Sequence, residues 1–483
     1  MATDHGSLFI GGTWRAPKSQ RRITVRSAST EEVLGSVPEA SEADIDAAVE
    51  AARRAFDEPG GWSQWEPARR AEVLDRLADE YDKRAESIFQ AISAQNGMPI
   101  TIARQLEVLP SMLFRFYADL VRKQPLEEVR DGMLAKTVTV RRSPVGVVAA
   151  VVPWNVPQTL TATKLAPSLA AGCTIVIKPS PETVLDAYLL ADAAAAAGVP
   201  EGVVSIVPGG RDIGAYLVAH PGIDKVAFTG STAGGRAVAT ACAELLRPVS
   251  LELGGKSAAI ILDDADLDLG TVGQSLFAAT LANNGQVCFL GTRILAPRNR
   301  YDEVVSTFAD LINSAPVGDS LDESTLIGPM ASRTQRDRVT SYIDRGAADG
   351  ARVVVGGRGT PAGLDRGWFV KPTLFADLDN SAAVAREEIF GPILAVIAYD
   401  GDDDAVRIAN DSDYGLGGSV WSSDPERAMS VAGAVQTGTI GLNGYAPDPV
   451  APFGGVKSSG IGREFGPEGL AAYQQFKSIY QFG

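Results

Sequence analysis

Cys288 ends a polar, glycine-containing turn, Asn283-Asn284-Gly285-Gln286-Val287, that follows an apolar helical stretch. A thiolate nucleophile needs a low-dielectric but accessible place with positive partial charge nearby. Burial as an inert thiol is the commoner fate of a cysteine, so both readings stay open for Cys288. Cys173 and Cys242, among small and apolar neighbours, fit the inert one. Glu252 stands between two leucines before Gly254-Gly255. An apolar setting would raise its pKa into the range of a general base, whereas a strand-end glutamate facing solvent would do no chemistry. Asn155 lies in Pro153-Trp154-Asn155-Val156-Pro157, where two prolines stiffen the loop. It could hold an amide toward an oxyanion or simply form an Asx-turn. Phe228-Thr229-Gly230-Ser231-Thr232 reads as a strand entering a helix, either an anion site at the helix start or, more simply, a serine N-cap.

Other glycine-rich stretches fail their tests. Gly254-Gly255-Lys256-Ser257 lacks the leading glycine of a phosphate loop, because position 250 is Ser250. Gly415-Leu416-Gly417 and Gly460-Ile461-Gly462 put Val420 and Phe465 where a dinucleotide fingerprint needs glycine. Only His5 and His220 are present, which excludes most histidine-dependent triads and zinc sites.

The elements around these residues follow from periodicity. Val145 to Val152 is the longest apolar run, too short to span a membrane and suited to a strand covered on both faces. Helix, strand, helix, strand then alternate from Leu160 to Ser231, as in a doubly wound α/β sheet, whose ligands sit at the carboxyl ends of the strands. A second alternating region starts at Ser257, with helices near 301–313 and 332–348. Before the first region, Phe9-Ile10-Gly11-Gly12 reads as a hairpin turn, and Ser41 with Asp44 as a capping box. Helical spacing then covers Arg69 to Ile92 and Ile102 to Val121. Thr137 to Arg141 and the tail Ala471 to Phe482 read as exposed strands.

Composition bounds the rest. The chain has 483 residues, 45% hydrophobic and 21% charged, enough for about three structural units. A net charge of −15 disfavours nucleic acid as a partner. Three cysteines and no leader-like start at Met1-Ala2-Thr3-Asp4-His5 point to a reducing cytoplasm.

Taken in order, Pro153-Trp154-Asn155, Phe228-Thr229-Gly230-Ser231-Thr232, Glu252-Leu253-Gly254-Gly255-Lys256, Gly285-Gln286-Val287-Cys288 and Glu387-Glu388-Ile389-Phe390-Gly391-Pro392 form one set. Pro452-Phe453-Gly454-Gly455 and Gly462-Arg463-Glu464 complete it. With this set the chain resembles the aldehyde dehydrogenase superfamily of the hydrolytic, NAD(P)-dependent type, over essentially its whole length. The resemblance implies Cys288 as nucleophile, with the Asn155 amide and the Cys288 backbone N–H holding the alkoxide. It implies Glu252 as the base for thioester hydrolysis and Glu464 as a carboxylate in the proton path, with no metal. It further implies that Lys178 lies at the adenosine ribose, Gly230 and Ser231 at the pyrophosphate, and Glu388 with Phe390 at the nicotinamide ribose, with Ser180 a further cofactor-binding residue. Trp154, Gly209, Phe228 and Leu253 match other cofactor-lining positions. Many NAD-using members carry glutamate three residues after the lysine, where this chain has Pro181, so NAD is favoured with NADP acceptable. Val156, Val287, Phe289, Tyr445 and Phe453 would line an apolar aldehyde pocket.

The implied architecture is a doubly wound, Rossmann-like cofactor domain (1–122 and 144–254) and a second α/β catalytic domain (255–458). A small β bridging or oligomerisation element (123–143 and 459–483) completes it. Unpaired strands in that element imply a homodimer or homotetramer. An intact Leu-Glu-Leu-Gly-Gly segment argues for water over coenzyme A as acyl acceptor. A coenzyme-A-acylating enzyme is the rival, and a non-catalytic member of the fold is disfavoured because nucleophile, base and oxyanion donor are all retained.

Overall fold

The computed structural model describes residues 3–482; Met1, Ala2 and Gly483 lie outside it, so the N-terminal leader reading rests partly on residues without a described structure. The apolar run at 145–152 becomes the strand Val147–Val151, and its alternation shows why neither face could be polar. Val148 and Ala150 join one core with Leu165 and Leu169 of the helix Pro157–Ala171. Val147 and Ala149 join another with Ile45, Ala48 and Ala52 of the helix Glu42–Asp57. Helices thus cover both sides, as the continuous apolar pattern requires.

The first sheet has eight strands in the order Gly460–Ile461, Val249–Glu252, Lys225–Thr229, Val147–Val151, Thr174–Lys178, Val204–Ile206, Leu8–Ile10, Thr13–Arg15. Its five central strands are parallel. From Val147–Val151 the chain winds outward through Thr174–Lys178 and Val204–Ile206, then returns to lay Lys225–Thr229 on the opposite side. That reversal leaves a crevice where the loops after Val151 and Thr229 part, the place where such folds bind ligands. The register sets Val151 beside both Phe228 and Lys178, and Thr229 beside Glu252.

The second sheet has seven strands, Arg352–Val355, Thr373–Ala376, Ile393–Tyr399, Arg293–Pro297, Ala258–Ile261, Gly418–Trp421 and Gly441–Leu442 in spatial order. Only its Arg352–Val355 edge is antiparallel. A third, antiparallel sheet joins Glu127–Asp131, Thr137–Pro144 and Gln474–Gln481. The sequence segment 459–483 therefore divides: Gly460–Ile461 pairs with Val249–Glu252 in the first sheet, and only the last strand enters the third.

The hairpin at Gly11-Gly12 and the Ser41/Asp44 capping box form as anticipated. The helical spans do not run through. Arg69 to Ile92 is split between Pro67–Asp82 and Ala85–Asn96, and Ile102 to Val121 between Ile100–Leu106 and Leu109–Lys123. In the second case Pro110 sits in the first turn of the new helix, where a missing N–H costs nothing, and the preceding helix ends before it. No helix among the described residues is long and apolar enough to cross a membrane.

Candidate active site

The helix Leu269–Thr280 runs into a tight turn in which Asn283 (φ 51°), Asn284 (φ 61°) and Gly285 (φ 74°) are all left-handed. A Cβ on Gly285 would come within 2.1 Å of the Gly391 carbonyl oxygen, so only glycine lets the turn approach the segment Glu387–Gly391. Cys288, half-buried, follows this turn. Burial pushes its thiol well above the ordinary range, and the nearby Glu388 and Glu252 carboxylates push it further; its own backbone N–H works the other way. The positive surroundings anticipated for a thiolate are thus not what the fold supplies to the side chain. The thiol rests protonated and needs a base. Cys173 and Cys242 are buried in cores, and Cys173, its thiol raised by burial to about 11, donates to the Tyr473 carbonyl at 3.4 Å.

Asn155 is 3% exposed and forms no Asx-turn: its Nδ2 donates to the Gln286 carbonyl at 3.0 Å, two residues before the thiol. One N–H of the amide remains for a ligand. Glu252 ends its strand buried rather than in solvent, and neither carboxylate oxygen has a hydrogen-bond partner. Burial raises its pKa well above the usual carboxylate value, Glu464 adds to this, and Lys164 and Arg463 oppose it. An orphaned buried carboxylate is costly, and such groups gather where a proton must be accepted.

Glu464 itself is ion-paired with Lys164 at 2.7 Å, both buried, and the same Nζ donates to Thr229 Oγ1 at 2.6 Å. Lys164 escaped the sequence reading, although a lone cation within Leu160-Thr161-Ala162-Thr163-Lys164-Leu165-Ala166 was a readable signal.

A cavity of about 320 Å³ brings Trp154, Asn155, Leu160, Gly230, Ser231, Glu252, Leu253, Cys288, Glu388 and Phe390 together. Glu388 accepts from Gly255 N–H at 3.1 Å, and burial lifts its pKa to about 7. A Cβ on Gly254 would meet Glu388 Oε2 at 2.3 Å, which explains a glycine directly after Leu253. Phe390 has φ 62°, a strained position for an aromatic residue. Its ring meets Trp154 edge-on, centroids 5.4 Å apart at 81°. Gln335 and Arg338, on the helix Arg333–Ala348, donate to the Phe390 and Glu388 carbonyls at 2.6 Å each. Nothing in their local sequence marks them, since their partners lie some fifty residues away.

Ser231 caps the helix Thr232–Glu244 by accepting from Gly234 N–H, so the simpler reading holds for its side chain. Lys178 is buried at the end of its strand, its Nζ donating at 2.9 Å to the carbonyls of Pro179 and Gly209, and burial lowers its pKa to about 8. Ser180 donates to Glu182. The Phe228 ring packs under Gly230 and Gly234.

Phe289 contacts Tyr445 and Phe453 edge-on, at 4.9 and 6.3 Å between centroids. Val156 is buried at the start of the helix Pro157–Ala171. Val287 lines a crevice of about 10 Å³ together with Cys288, Glu388, Phe390 and Ile393. A wider surface crevice of about 800 Å³ between Arg298, Asp377 and Arg407 contains none of these groups. Among the described residues no cluster of histidine, cysteine or carboxylate could hold a metal ion.

The aldehyde dehydrogenase family model matches residues 14–479. A geranial dehydrogenase of Castellaniella defragrans is 55% identical, with all of both chains covered. A 3-succinoylsemialdehyde-pyridine dehydrogenase of a Pseudomonas species is 42% identical over 99% of this chain and 98% of its own. Among solved structures, an aldehyde dehydrogenase of Mycobacterium tuberculosis complexed with NAD+ superposes with a TM-score of 0.97 at 47% identity, covering 100% of this chain and 99% of its own. A variant of aldehyde dehydrogenase C of Pseudomonas syringae, complexed with NAD+ and octanal, gives 0.94 at 42% identity over 99% and 97%. With its doubly wound sheet, its buried carboxylate and its half-buried thiol in one cavity, the chain belongs to the aldehyde dehydrogenase family.

Proposed function

We propose that the protein oxidises an apolar aldehyde to its carboxylic acid, with NAD+ as hydride acceptor and water as acyl acceptor. The observation that carries this reading is the meeting of Cys288, Asn155 and Glu252 in one cavity, with both Glu252 oxygens unpartnered. The Cys288 proton leaves to solvent as Sγ bonds to the carbonyl carbon, and negative charge moves onto the former carbonyl oxygen. The free N–H of Asn155 and the Cys288 backbone N–H stabilise that oxygen. A nicotinamide held beside Trp154, Glu388 and Phe390 would supply the hydride acceptor, and loss of hydride from the adduct would leave the acyl group as a thioester on Cys288. Glu252 then accepts a proton from water, the hydroxyl adds to the acyl carbon, and the C–S bond breaks as Glu252 returns that proton to sulfur, releasing acid and restoring the thiol. Lys164, paired with Glu464, favours the ionised form of Glu252, and Glu464 opposes it.

The cavity suits a nicotinamide dinucleotide: Trp154, Glu388 and the strained Phe390 surround one end, and Gly230 with Ser231 opens a helix whose free N–H groups favour phosphate. Lys178, Ser180, Gly209 and Phe228 line the adenosine side in this reading, with Leu253 beneath the ring. The carboxylates of Glu182 and Glu39 act on Lys178 through space, so the ribose region stays acidic although Pro181 lacks a carboxyl group. That acidity opposes a 2′-phosphate. NAD+ is expected to exceed NADP+ in kcat/KM, and Glu182→Gln to raise the relative use of NADP+ about tenfold; an unaltered ratio in parallel assays removes Glu182 from this role.

Phe289, Tyr445 and Phe453 support an apolar substrate, as do relatives named for geranial or crystallised with octanal. Val156 and Val287 belong, in this reading, to the supporting wall. Purified protein with octanal and NAD+, without coenzyme A, is expected to produce reduced nicotinamide and octanoate. Dependence of acid formation on coenzyme A would instead identify an acylating enzyme.

The first sheet with its helices forms the cofactor domain, chiefly 1–122 and 144–254, and the second sheet the catalytic domain, 255–458. The strands within 123–143 and after residue 473 form the oligomerisation element. Val129, Phe476, Ile479 and Tyr480 stand exposed on that third sheet, which supports pairing with another copy as a homodimer or homotetramer. Three unpaired cysteines support a reducing, cytoplasmic setting.

A further inference from the structure

An oxyanion donor is useful only if its N–H points to one place before the substrate arrives. Asn155 commits one N–H to the Gln286 carbonyl, so the direction of the other depends on how firmly residue 155 is held against the turn that carries Cys288. That backbone is held by side chains. Asn96 Nδ2 donates to the Trp154 carbonyl at 3.0 Å and to the Asn155 carbonyl at 3.1 Å, while its Oδ1 accepts from Met98 N–H at 3.0 Å. Asn283 Nδ2 donates to the same Asn155 carbonyl at 3.0 Å. Next to them, Asn284 Nδ2 donates to the Gly97 carbonyl at 2.8 Å. Asn96, Asn283 and Asn284 are all fully buried. The end of the helix Ala85–Asn96 thus grips both the oxyanion loop and the nucleophile turn, and the ring from Asn283 to Asn155 to Gln286 closes on itself.

We propose that Asn96 and Asn283 are positioning residues that aim the free Asn155 N–H at the developing alkoxide. The inference rests on the oxyanion role given above to Asn155. Asn283 is the cleaner probe, because glycine accepts its φ of 51° without strain and Asn283→Gly deletes the amide while permitting the turn.

The experiment is a double-mutant cycle on the full chain with NAD+ and octanal. Asn155→Ala alone is expected to lower kcat by about 10²–10³-fold. Asn96→Ala and Asn283→Gly are each expected to lower kcat by about 10–100-fold, with the octanal KM and the NAD+ affinity nearly unchanged. In the Asn155→Ala background the same two substitutions are expected to cost less than about twofold, because no donor remains to be aimed. If Asn96→Ala fails to fold, Asn283→Gly carries the test by itself. Losses that persist undiminished in the Asn155→Ala background would reveal a purely structural role and overturn the proposal. Full activity in Asn155→Ala would refute the oxyanion role itself, and this inference with it.

Discussion

Cys288→Ala is expected to lower kcat for aldehyde oxidation by about 10⁴-fold or more, while NAD+ binding, followed by quenching of tryptophan fluorescence, persists. The separation follows from where the thiol lies. Cys288 shares the cavity with Trp154, Glu388 and Phe390, yet none of the hydrogen bonds holding those residues runs through its sulfur. Alanine removes the thiol that carries the acyl group in the proposed reaction and leaves the cofactor side standing. Cys173 and Cys242, buried in cores and outside the lining of the cavity, cannot substitute for it. Turnover retained in the alanine variant would mean that another group carries the acyl chain.

Glu252→Gln is expected to lower kcat by about 10²–10⁴-fold and to let an acyl-enzyme accumulate on Cys288, visible as added mass on the intact protein. Glutamine keeps the shape of the side chain but accepts no proton, so hydrolysis slows. The pH dependence has a definite sign. Burial and Glu464 hold the Glu252 pKa above the ordinary 4.5, and the carboxyl is an effective base only when ionised. Wild-type kcat therefore rises with pH through a limb displaced to the alkaline side of that value, and Glu252→Gln flattens the limb. The same shift acts on stability. A carboxyl whose folded pKa exceeds its unfolded one favours the fold while protonated, below the unfolded value. That contribution is lost as pH rises through the folded pKa. The glutamine variant is expected to lose less thermal stability than wild type on moving from acidic to alkaline pH. A limb unaltered in Glu252→Gln would assign the proton transfer to a different group.

The strands and helices of the first sheet were readable because burial on two faces leaves an unbroken apolar run, as at Val145 to Val152, between glycine and proline connections. The split near Glu107 was hidden, because helical periodicity continues across it and only Pro110 hints at a new start. Several strands of the second sheet, such as Thr373–Ala376 and Gly418–Trp421, are short and went unassigned. At the site, Cys288, Glu252 and Asn155 stood out through the mismatch between each residue and its neighbours. Lys164 carries as clear a local sign, a lone cation in an apolar helix, whereas Gln335, Arg338, Glu182 and Glu39 act on groups distant in sequence or shifted in register and carry none.

The sequence by itself determined the inventory: one thiol in a glycine turn, one carboxylate at a strand end, one amide in a proline-stiffened loop, in an order that names the family. Tertiary structure alone decided their states. Whether Cys288 rests as a thiol and Glu252 as a strong base depends on how much water is excluded and on which charges stand nearby. Those charges, Glu388, Glu464 and Lys164, come from remote segments. Electrostatic energy depends on distance and surrounding dielectric, and both are properties of the packed chain, absent from any short run of residues.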